Sequence, residues 1–367
     1  MQHQSPPRAW VEVDLEAIAH NLDVARQALP ETELMPVVKA GAYGHGLEPV
    51  ARRLDTSGIA FFGVANAGEA RRLSLAGVRT KPFILGPTLP DEREEIVLNS
   101  WGCTVSSLEE AQQFQSLAEL YDKTFLVHLA VDTGMGREGF LPEQLGSVIE
   151  PLKAMKHLLV DGVMSHFPVA DEDVPFTQAE IGVFRDCVRE VSRHFRLRYR
   201  HIAASAGELG YEVPEANLAR PGLLLYGVGP MASIYDSVLR PTLKLRSLVT
   251  LVRELPAGHG VSYGREFVTP RPMRVATIGI GYADGWSRRL ANRGTRFYIN
   301  GQYCPMLGRV TMDQVRADVS ALPEVKPGDE VELIGEHIPV AEVAERAGTI
   351  VWEIFTGLGP RLPRLYH

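Results

Sequence analysis

Two patterns alternate regularly along the first 230 residues, and few folds accommodate such an alternation. Short apolar, β-branched runs predict strands at 34–39, 59–64, 82–86, 101–105, 125–131, 158–164 and 199–203. Between them, apolar residues recur at the i, i+3, i+4 spacing of one helix face over 47–54, 67–76, 107–120 and 177–194. Strands that alternate with helices build a parallel sheet covered by those helices.

The number of strands distinguishes a closed sheet from an open one. An eighth strand is needed near 216–227, and the sequence permits either 216–220 or 222–226, since periodicity cannot assign so short an apolar run. Eight strand–helix units predict a (β/α)8 TIM-type barrel, which takes about 250 residues. An open doubly wound sheet is the alternative, but no Gly-x-Gly-x-x-Gly follows a strand.

The pattern changes after a stretch containing Gly and Pro at 229–241. Strands are predicted at 243–254, 273–280, 295–299, 313–319 and 329–334, with Pro-Gly and Asn-Gly turns among them and one helix at 340–347. We therefore expect an α/β barrel domain over 1–237 and a β-rich C-terminal domain over 238–367. An N-terminal strand near 9–14 is expected to pair with the second domain.

Charge and cysteine content exclude several classes of partner. The net charge of −7 leaves no basic excess for a nucleic acid or an anionic membrane surface. No run approaches the roughly 18 apolar residues of a membrane helix. Cys103, Cys187 and Cys304 are too few and too far apart for a disulfide framework or a zinc cluster, so we expect a cytoplasmic protein without a metal.

Lys39 is the first candidate for chemistry. It ends the first predicted barrel strand, and barrel active sites collect at the carboxyl ends of the strands. Gly41, Gly44 and Gly46 follow it and let the backbone approach a ligand. A buried amine also has a lowered pKa, which suits a lysine that forms a Schiff base. A surface lysine is the alternative interpretation.

Motifs in both predicted domains carry a resemblance to one family. They are Val-Val-Lys-Ala-Gly-Ala-Tyr-Gly-His-Gly at 37–46, Val-Asp-Thr-Gly-Met-Gly-Arg at 131–137, Ser-His-Phe at 165–167, Arg-Pro-Gly at 220–222, Val-Ser-Tyr-Gly at 261–264, Gly-Tyr-Ala-Asp-Gly at 281–285 and Arg-Val-Thr-Met-Asp at 309–313. Because these motifs occur in order across both domains, the chain resembles the pyridoxal-phosphate-dependent alanine racemases from end to end. The resemblance implies a barrel plus a β-domain, assembled as a head-to-tail homodimer with shared active sites.

The resemblance also implies two catalytic bases. Lys39 would hold pyridoxal 5'-phosphate as a Schiff base and move the α-proton of the D enantiomer, while Tyr263 from the partner subunit would serve the L enantiomer. Arg220 and His166 would supply positive surroundings. Arg220 would also donate to the pyridine nitrogen and, because a guanidinium keeps its proton, would weaken the electron sink. A short-lived carbanion favours return of the proton to Cα.

Further positions match binding residues of the family. The phosphate would be bound by Ser205, Tyr43, Trp352 and the backbone N–H groups of Gly222 and Leu223. A helical turn at 222–226 would make 216–220 the eighth strand, with Arg220 at its carboxyl end. The substrate would be bound by Arg137, Tyr282 and Met312.

Four departures from the family pattern affect these assignments. Ala130 stands where members commonly carry a lysine, carbamylated in many of them, which leaves a chloride ion or a water to orient Arg137. Gly41 and Ala204 each replace the usual Asn, and Trp352 replaces a tyrosine. Indole is larger than phenol and only donates, so Trp352 is expected to reshape the substrate pocket.

The implied function is a racemase that interconverts L- and D-alanine and supplies D-alanine for peptidoglycan. A broader racemase acting on serine or basic amino acids is the alternative within the class. A decarboxylase would need a Cys-containing carboxy-terminal motif that we do not find. A non-catalytic barrel that carries pyridoxal phosphate would not need the second domain.

Overall fold

The chain divides into two compact units. A computed structural model describes residues 7–202, 207, 210–229 and 237–367. The barrel unit comprises 16–42 and 47–240, and the β unit comprises the chain up to residue 15, 43–46 and 241–367. Strand β1 (Ala9–Val13) lies in the β unit, and the chain then enters the barrel unit.

The barrel unit is built from parallel strands. In chain order they are β2 (Glu33–Leu34), β3 (Phe62–Val64), β4 (Pro82–Ile84), β5 (Gly102–Val105), β6 (Phe125–Ala130), β7 (Leu158–Met164), β8 (Tyr199–His201) and β9 (Leu218–Ala219). Strands β3 to β8 form one sheet in sequence order, and β2 pairs with β9.

Backbone hydrogen bonds join the β2–β9 pair to the six-stranded sheet on both sides. Gly63 donates to the carbonyl of Pro36, which joins β3 to the segment after β2 (2.8 Å). Asn217 donates to the carbonyl of Arg200, which joins β9 to β8 (2.9 Å). The eight strands therefore form the predicted (β/α)8 barrel.

Helices alternate with the barrel strands. They are α1 (Leu15–Ala28), α2 (Leu47–Leu54), α3 (Ala67–Leu75), α4 (Pro90–Asn99), α5 (Leu108–Leu120), α6 (Leu145–Lys153) and α7 (Val174–Ser192). Ser107 caps α5 by accepting from the Glu110 N–H at 3.1 Å. The Glu110 carboxylate accepts from the Ser106 N–H at 2.8 Å.

The structure decides which segment is the eighth barrel strand. A 3₁₀ turn spans Leu223–Tyr226, and β9 ends immediately before Arg220. The hydroxyl of Tyr226 donates to the carbonyl of Val37 at 2.9 Å and anchors this turn to the first strand segment. The placement of strand eight at 216–220 is confirmed, and Arg220 follows its carboxyl end.

The β unit contains the remaining strands and two helices. The strands are β10 (Leu243–Leu255), β11 (Gly260–Val261), β12 (Phe267–Val268), β13 (Met273–Ile278), β14 (Arg296–Ile299), β15 (Gln302–Pro305), β16 (Val315–Asp318), β17 (Glu330–Ile334) and β18 (Arg364–Tyr366), and the helices are α8 (Val340–Ala347) and α9 (Val351–Gly357). Long β10 pairs antiparallel with β1, β13 and β17. Strand β1 lies between β10 and β18.

Within the described ranges, no helix is both long and apolar enough to cross a membrane.

Candidate active site

Lys39 opens a backbone turn of unusual conformation. The next four residues all have left-handed φ angles, of 53° at Ala40, 63° at Gly41, 55° at Ala42 and 52° at Tyr43. Left-handed helix costs a residue with a Cβ roughly 1–2 kcal/mol, and such strain concentrates at functional sites. Gly and Asn tolerate this conformation best, which explains how Gly41 stands in place of the family's Asn.

The surroundings of Lys39 lower the pKa of its amine. Burial makes the largest contribution, followed by the positive charges of Arg137 and Arg220. The carboxylates of Glu138 and Glu69 act in the opposite direction. A lysine in such surroundings reaches its neutral, nucleophilic form at lower pH than an exposed lysine.

The guanidinium of Arg220 is buried, and four groups among the described residues accept hydrogen bonds from it. Its Nη1 donates to Nδ1 of His201 at 2.6 Å, and its Nη2 is shared among the carbonyls of Ser165 (2.7 Å) and Ile202 (2.9 Å) and Nδ1 of His166 (3.1 Å). The four partners lie at the carboxyl ends of two barrel strands, β7 and β8. They fix the orientation of the group that the sequence analysis places at the pyridine nitrogen.

The same bonds determine where the histidine protons lie. A guanidinium only donates, so Nδ1 of His201 accepts and its proton is on Nε2. That Nε2 lies 2.7 Å from Nδ1 of His128 and donates to it. Burial, reinforced by Arg220, lowers the pKa of His128 and of His166 to about 3 and that of His201 well below its usual 6.5. The imidazoles are therefore neutral, so the positive charge stays on Arg220.

Arg137 has an anionic partner that the sequence analysis missed. Its Nε and Nη2 donate to Oε1 of Glu138 at 3.2 Å and 2.8 Å. The chain itself thus places a carboxylate against Arg137, in addition to the chloride ion or water that the sequence led us to expect. The signal was present as an acid directly after Arg137. The contact could not be predicted, because neighbouring residues face each other only where the backbone turns sharply.

A second buried carboxyl lies beside the same loop. The hydroxyl of Thr133 is 2.7 Å from the hydroxyl of Ser165 and 3.3 Å from Oε1 of Glu180. Oε2 of Glu180 is buried and has no hydrogen-bond partner in the described ranges. Burial raises the pKa of Glu180 from its usual 4.5 to about 7, with a further contribution from Asp132.

Replacing Glu180 by Gln is expected to stabilise the protein at alkaline pH. Between pH 4.5 and 7 the folded protein holds a proton that the unfolded chain has released, so stability falls as pH rises through 7. The neutral amide avoids this loss, which amounts to roughly 1–3 kcal/mol. Urea-unfolding midpoints should differ between variant and parent at pH 8 and converge near pH 5. The exposed Glu172→Gln variant should follow the parent at both pH values, and a constant offset at all pH values for Glu180→Gln would contradict the assignment.

Three predicted site residues lie exposed on the β unit. Tyr263 has 71% of its surface accessible, and Tyr282 and Met312 are also exposed. The carbonyl of Met312 accepts from the Ala283 N–H at 3.0 Å, which brings the segments of Tyr282 and Met312 together. A Cβ on Gly281 would lie 2.3 Å from that carbonyl, so this approach requires glycine.

The predicted phosphate ligands are only partly described. Gly222 immediately precedes the 3₁₀ turn and Leu223 is its first residue. Tyr43 is buried in the β unit, and burial raises its pKa to about 12, so its phenol keeps its proton and can donate. Trp352 is a partly exposed residue of α9. Ser205 and Ala204 lie outside the described residues.

Comparison with known families agrees with this arrangement in both units. The family described as "Alanine racemase, N-terminal domain" matches residues 13–230, and "Alanine racemase, C-terminal domain" matches 242–366. The chain belongs to the alanine racemase family. The alanine racemase of Carboxydothermus hydrogenoformans is 40% identical over 97% of this chain and 99% of its own.

Solved structures of the family share the whole fold. The alanine racemase of a D-cycloserine-producing Streptomyces lavendulae superposes with a TM-score of 0.94 at 33% identity, over 99% of this chain and 98% of its own. That of Bartonella henselae, solved with covalently bound pyridoxal phosphate, gives a TM-score of 0.90 at 31% identity, over 99% of this chain and 100% of its own.

Proposed function

We propose that this protein is a pyridoxal-phosphate-dependent alanine racemase, an isomerase that interconverts L- and D-alanine. One observation carries the assignment. In a chain aligned with the family from end to end, Lys39 lies at the barrel mouth with an amine whose pKa is lowered by burial, Arg137 and Arg220. This is the lysine that the proposed chemistry requires.

The described residues fit the cofactor. Lys39 provides an amine for covalent attachment, Arg220 a fixed donor for the pyridine nitrogen, and the start of the 3₁₀ turn at Gly222 and Leu223 provides N–H groups for a phosphate. Tyr43, His166, Ser205 and Trp352 complete the proposed binding set. Pyridoxal phosphate, when bound, supplies an electron sink that acidifies the α-proton of an amino acid.

The residues of the chain divide the proton movements between two faces. Lys39 takes or returns the α-proton on one face of the substrate, and Tyr263 does so on the other. Arg137, Tyr282 and Met312 hold the substrate and fix the orientation of its carboxylate. Arg220 keeps its proton throughout, since the neutral His201 and His166 accept from it and carry no competing charge. Because Arg220 does not give up this proton, the electron sink stays weak, which favours return of the α-proton to Cα.

The exposure of the three β-unit residues supports a shared site. Tyr263, Tyr282 and Met312 present large side chains to solvent within one unit. In the proposed homodimer these side chains complete the partner's barrel in a head-to-tail arrangement. The enzyme acts in the cytoplasm and supplies D-alanine for peptidoglycan.

An isotope-exchange assay with each of the nineteen chiral L-amino acids tests the function. Purified protein with pyridoxal phosphate in deuterated water should replace the α-proton of alanine with deuterium and form D-alanine, as followed by NMR and chiral chromatography. Borohydride reduction followed by peptide mapping should label Lys39. Equal turnover of serine or basic amino acids would establish the broader racemase instead. A reduced cofactor on another lysine, or exchange with no amino acid, would refute the proposal.

A further inference from the structure

The guanidinium of Arg137 is held along one edge only. Nε and Nη2 both donate to Oε1 of Glu138, and Nη1 has no hydrogen bond within the described ranges. The Arg137 side chain is 49% exposed, whereas that of Glu138 is 6% exposed. The pair therefore presents a free cationic end to the outside and a buried anion behind it.

The carboxylate of Glu138 occupies an environment that does not favour charge. Its Oε2 is buried without a hydrogen-bond partner in the described part of the chain. It lines a small cavity together with Ala130, Met164 and His166. Burial of a carboxylate costs several kcal/mol that one ion pair recovers only in part, so stability alone is a poor explanation for an acid here.

We propose that Glu138 is the positioning residue of the substrate-binding arginine: its carboxylate fixes the Nε/Nη2 edge of Arg137, directs Nη1 to the substrate carboxylate, and balances the arginine's charge beside Lys39. This inference rests on the proposed function and extends it to a residue outside the predicted site. The small Ala130 side chain leaves room for the carboxylate in the same cavity.

The charge distribution gives the proposal a second consequence. Arg137 lowers the pKa of Lys39 and Glu138 raises it, so the two partly cancel at the amine. Neutralising Glu138 removes the compensation and lowers the pKa of Lys39 further. A residue that only filled space would leave that pKa unchanged.

Glu138→Gln tests the positioning role, with Glu143→Gln as the matched control. Glu143 lies five positions along the chain, is exposed and forms no ion pair in the described ranges, so it loses the same charge without touching Arg137. The Gln oxygen can still accept from Arg137 but carries no charge, and the loss of this charge assistance should raise the KM for alanine about tenfold. The change in kcat should stay within about threefold, because Arg137 binds the carboxylate before and during proton movement.

Trace labelling of the cofactor-free protein measures the effect on Lys39 without turnover. The pH dependence of its acylation by acetic anhydride, read by mass spectrometry of the Lys39 peptide, reports the pKa of the amine. The titration should move to lower pH in Glu138→Gln and stay in place in Glu143→Gln. This readout remains informative even if the protein racemises no amino acid, so failure here is distinguishable from failure of the proposed function.

Chemical rescue separates charge from packing. Glu138→Ala should lose affinity for alanine and regain much of it in millimolar formate, whose carboxylate refills the space, but not in neutral formamide. Should Glu138→Gln or Glu138→Ala fail to fold, Glu138→Asp serves instead. The Asp variant keeps the charge on a shorter arm, so KM should rise while the Lys39 titration stays near that of the parent. A parental KM and titration in Glu138→Gln, absence of formate rescue, or a titration in Glu138→Asp shifted like that of a neutral variant would each overturn the proposal.

Discussion

The Tyr263→Phe enzyme is expected to lose racemisation in both directions while it still exchanges the α-proton of D-alanine. Each racemisation needs one proton movement on each face of the substrate, and Phe removes the base from one of them. Loss of a general base costs about 10² to 10⁴ in rate, or roughly 3–5 kcal/mol of barrier. Lys39 remains on the other face and continues to exchange deuterium with D-alanine.

NMR of alanine in deuterated water distinguishes the two faces. The α-proton signal of D-alanine should still disappear with time, whereas that of L-alanine should stay nearly unchanged. Tyr303→Phe is the matched control, because Tyr303 is a second exposed tyrosine of the β unit and its hydroxyl donates to the carbonyl of His337 (3.1 Å). Equal exchange of both enantiomers by Tyr263→Phe, or racemisation near the parent rate, would show that another group is the base on the L face.

Mixing two inactive proteins is expected to restore activity. Lys39→Ala lacks one base and Tyr263→Phe the other, so a mixed dimer with shared sites contains one intact pair and one doubly defective pair. Random exchange of equal amounts gives half mixed dimers, each with one working site of two, or about a quarter of the parent activity. Each protein alone should stay at or below about 1%, in line with the loss of a general base.

The control for complementation uses two defects in the same residue. Lys39→Ala mixed with Lys39→Arg exchanges subunits in the same way but never assembles an intact pair, so it should stay inactive. Subunit exchange is followed by native mass spectrometry of differently tagged chains. Mixed dimers without recovered activity would show that Lys39 and Tyr263 of one chain act in the same site, or that Tyr263 does not act at all.

The barrel could be predicted because its signals are local. Apolar strands and amphipathic helices alternate along the chain, and strands β3 to β8 pair in the order in which they occur in the sequence. Helix α4 could not be predicted because four of its first six residues are acidic, and its buried residues are only Arg93, Ile96 and Val97. Such a short apolar face shows no helical period.

The parts of the site that could not be predicted depend on tertiary structure. Nothing about Ala40, Ala42 or Tyr43 as residue types indicates a left-handed backbone, which local preference opposes. The Arg220–His201–His128 chain joins residues of three strands and requires the barrel to be closed. Lys39 could be found because a strand end carries a positional meaning in this fold, whereas Glu138 acts through a contact that only the folded loop creates.

The position of β1 determines the order in which the protein can be completed during synthesis. This strand is synthesised before the barrel unit, yet its Val11 pairs with Leu245 on one side and Arg364 on the other. At about 5–20 residues per second, its first partner appears roughly 10–50 seconds later. The barrel unit is translated within that interval and can fold first, while β1 stays unpaired. Strand β1 therefore meets its partners only after the barrel unit has been made, so the β unit matures after the barrel unit.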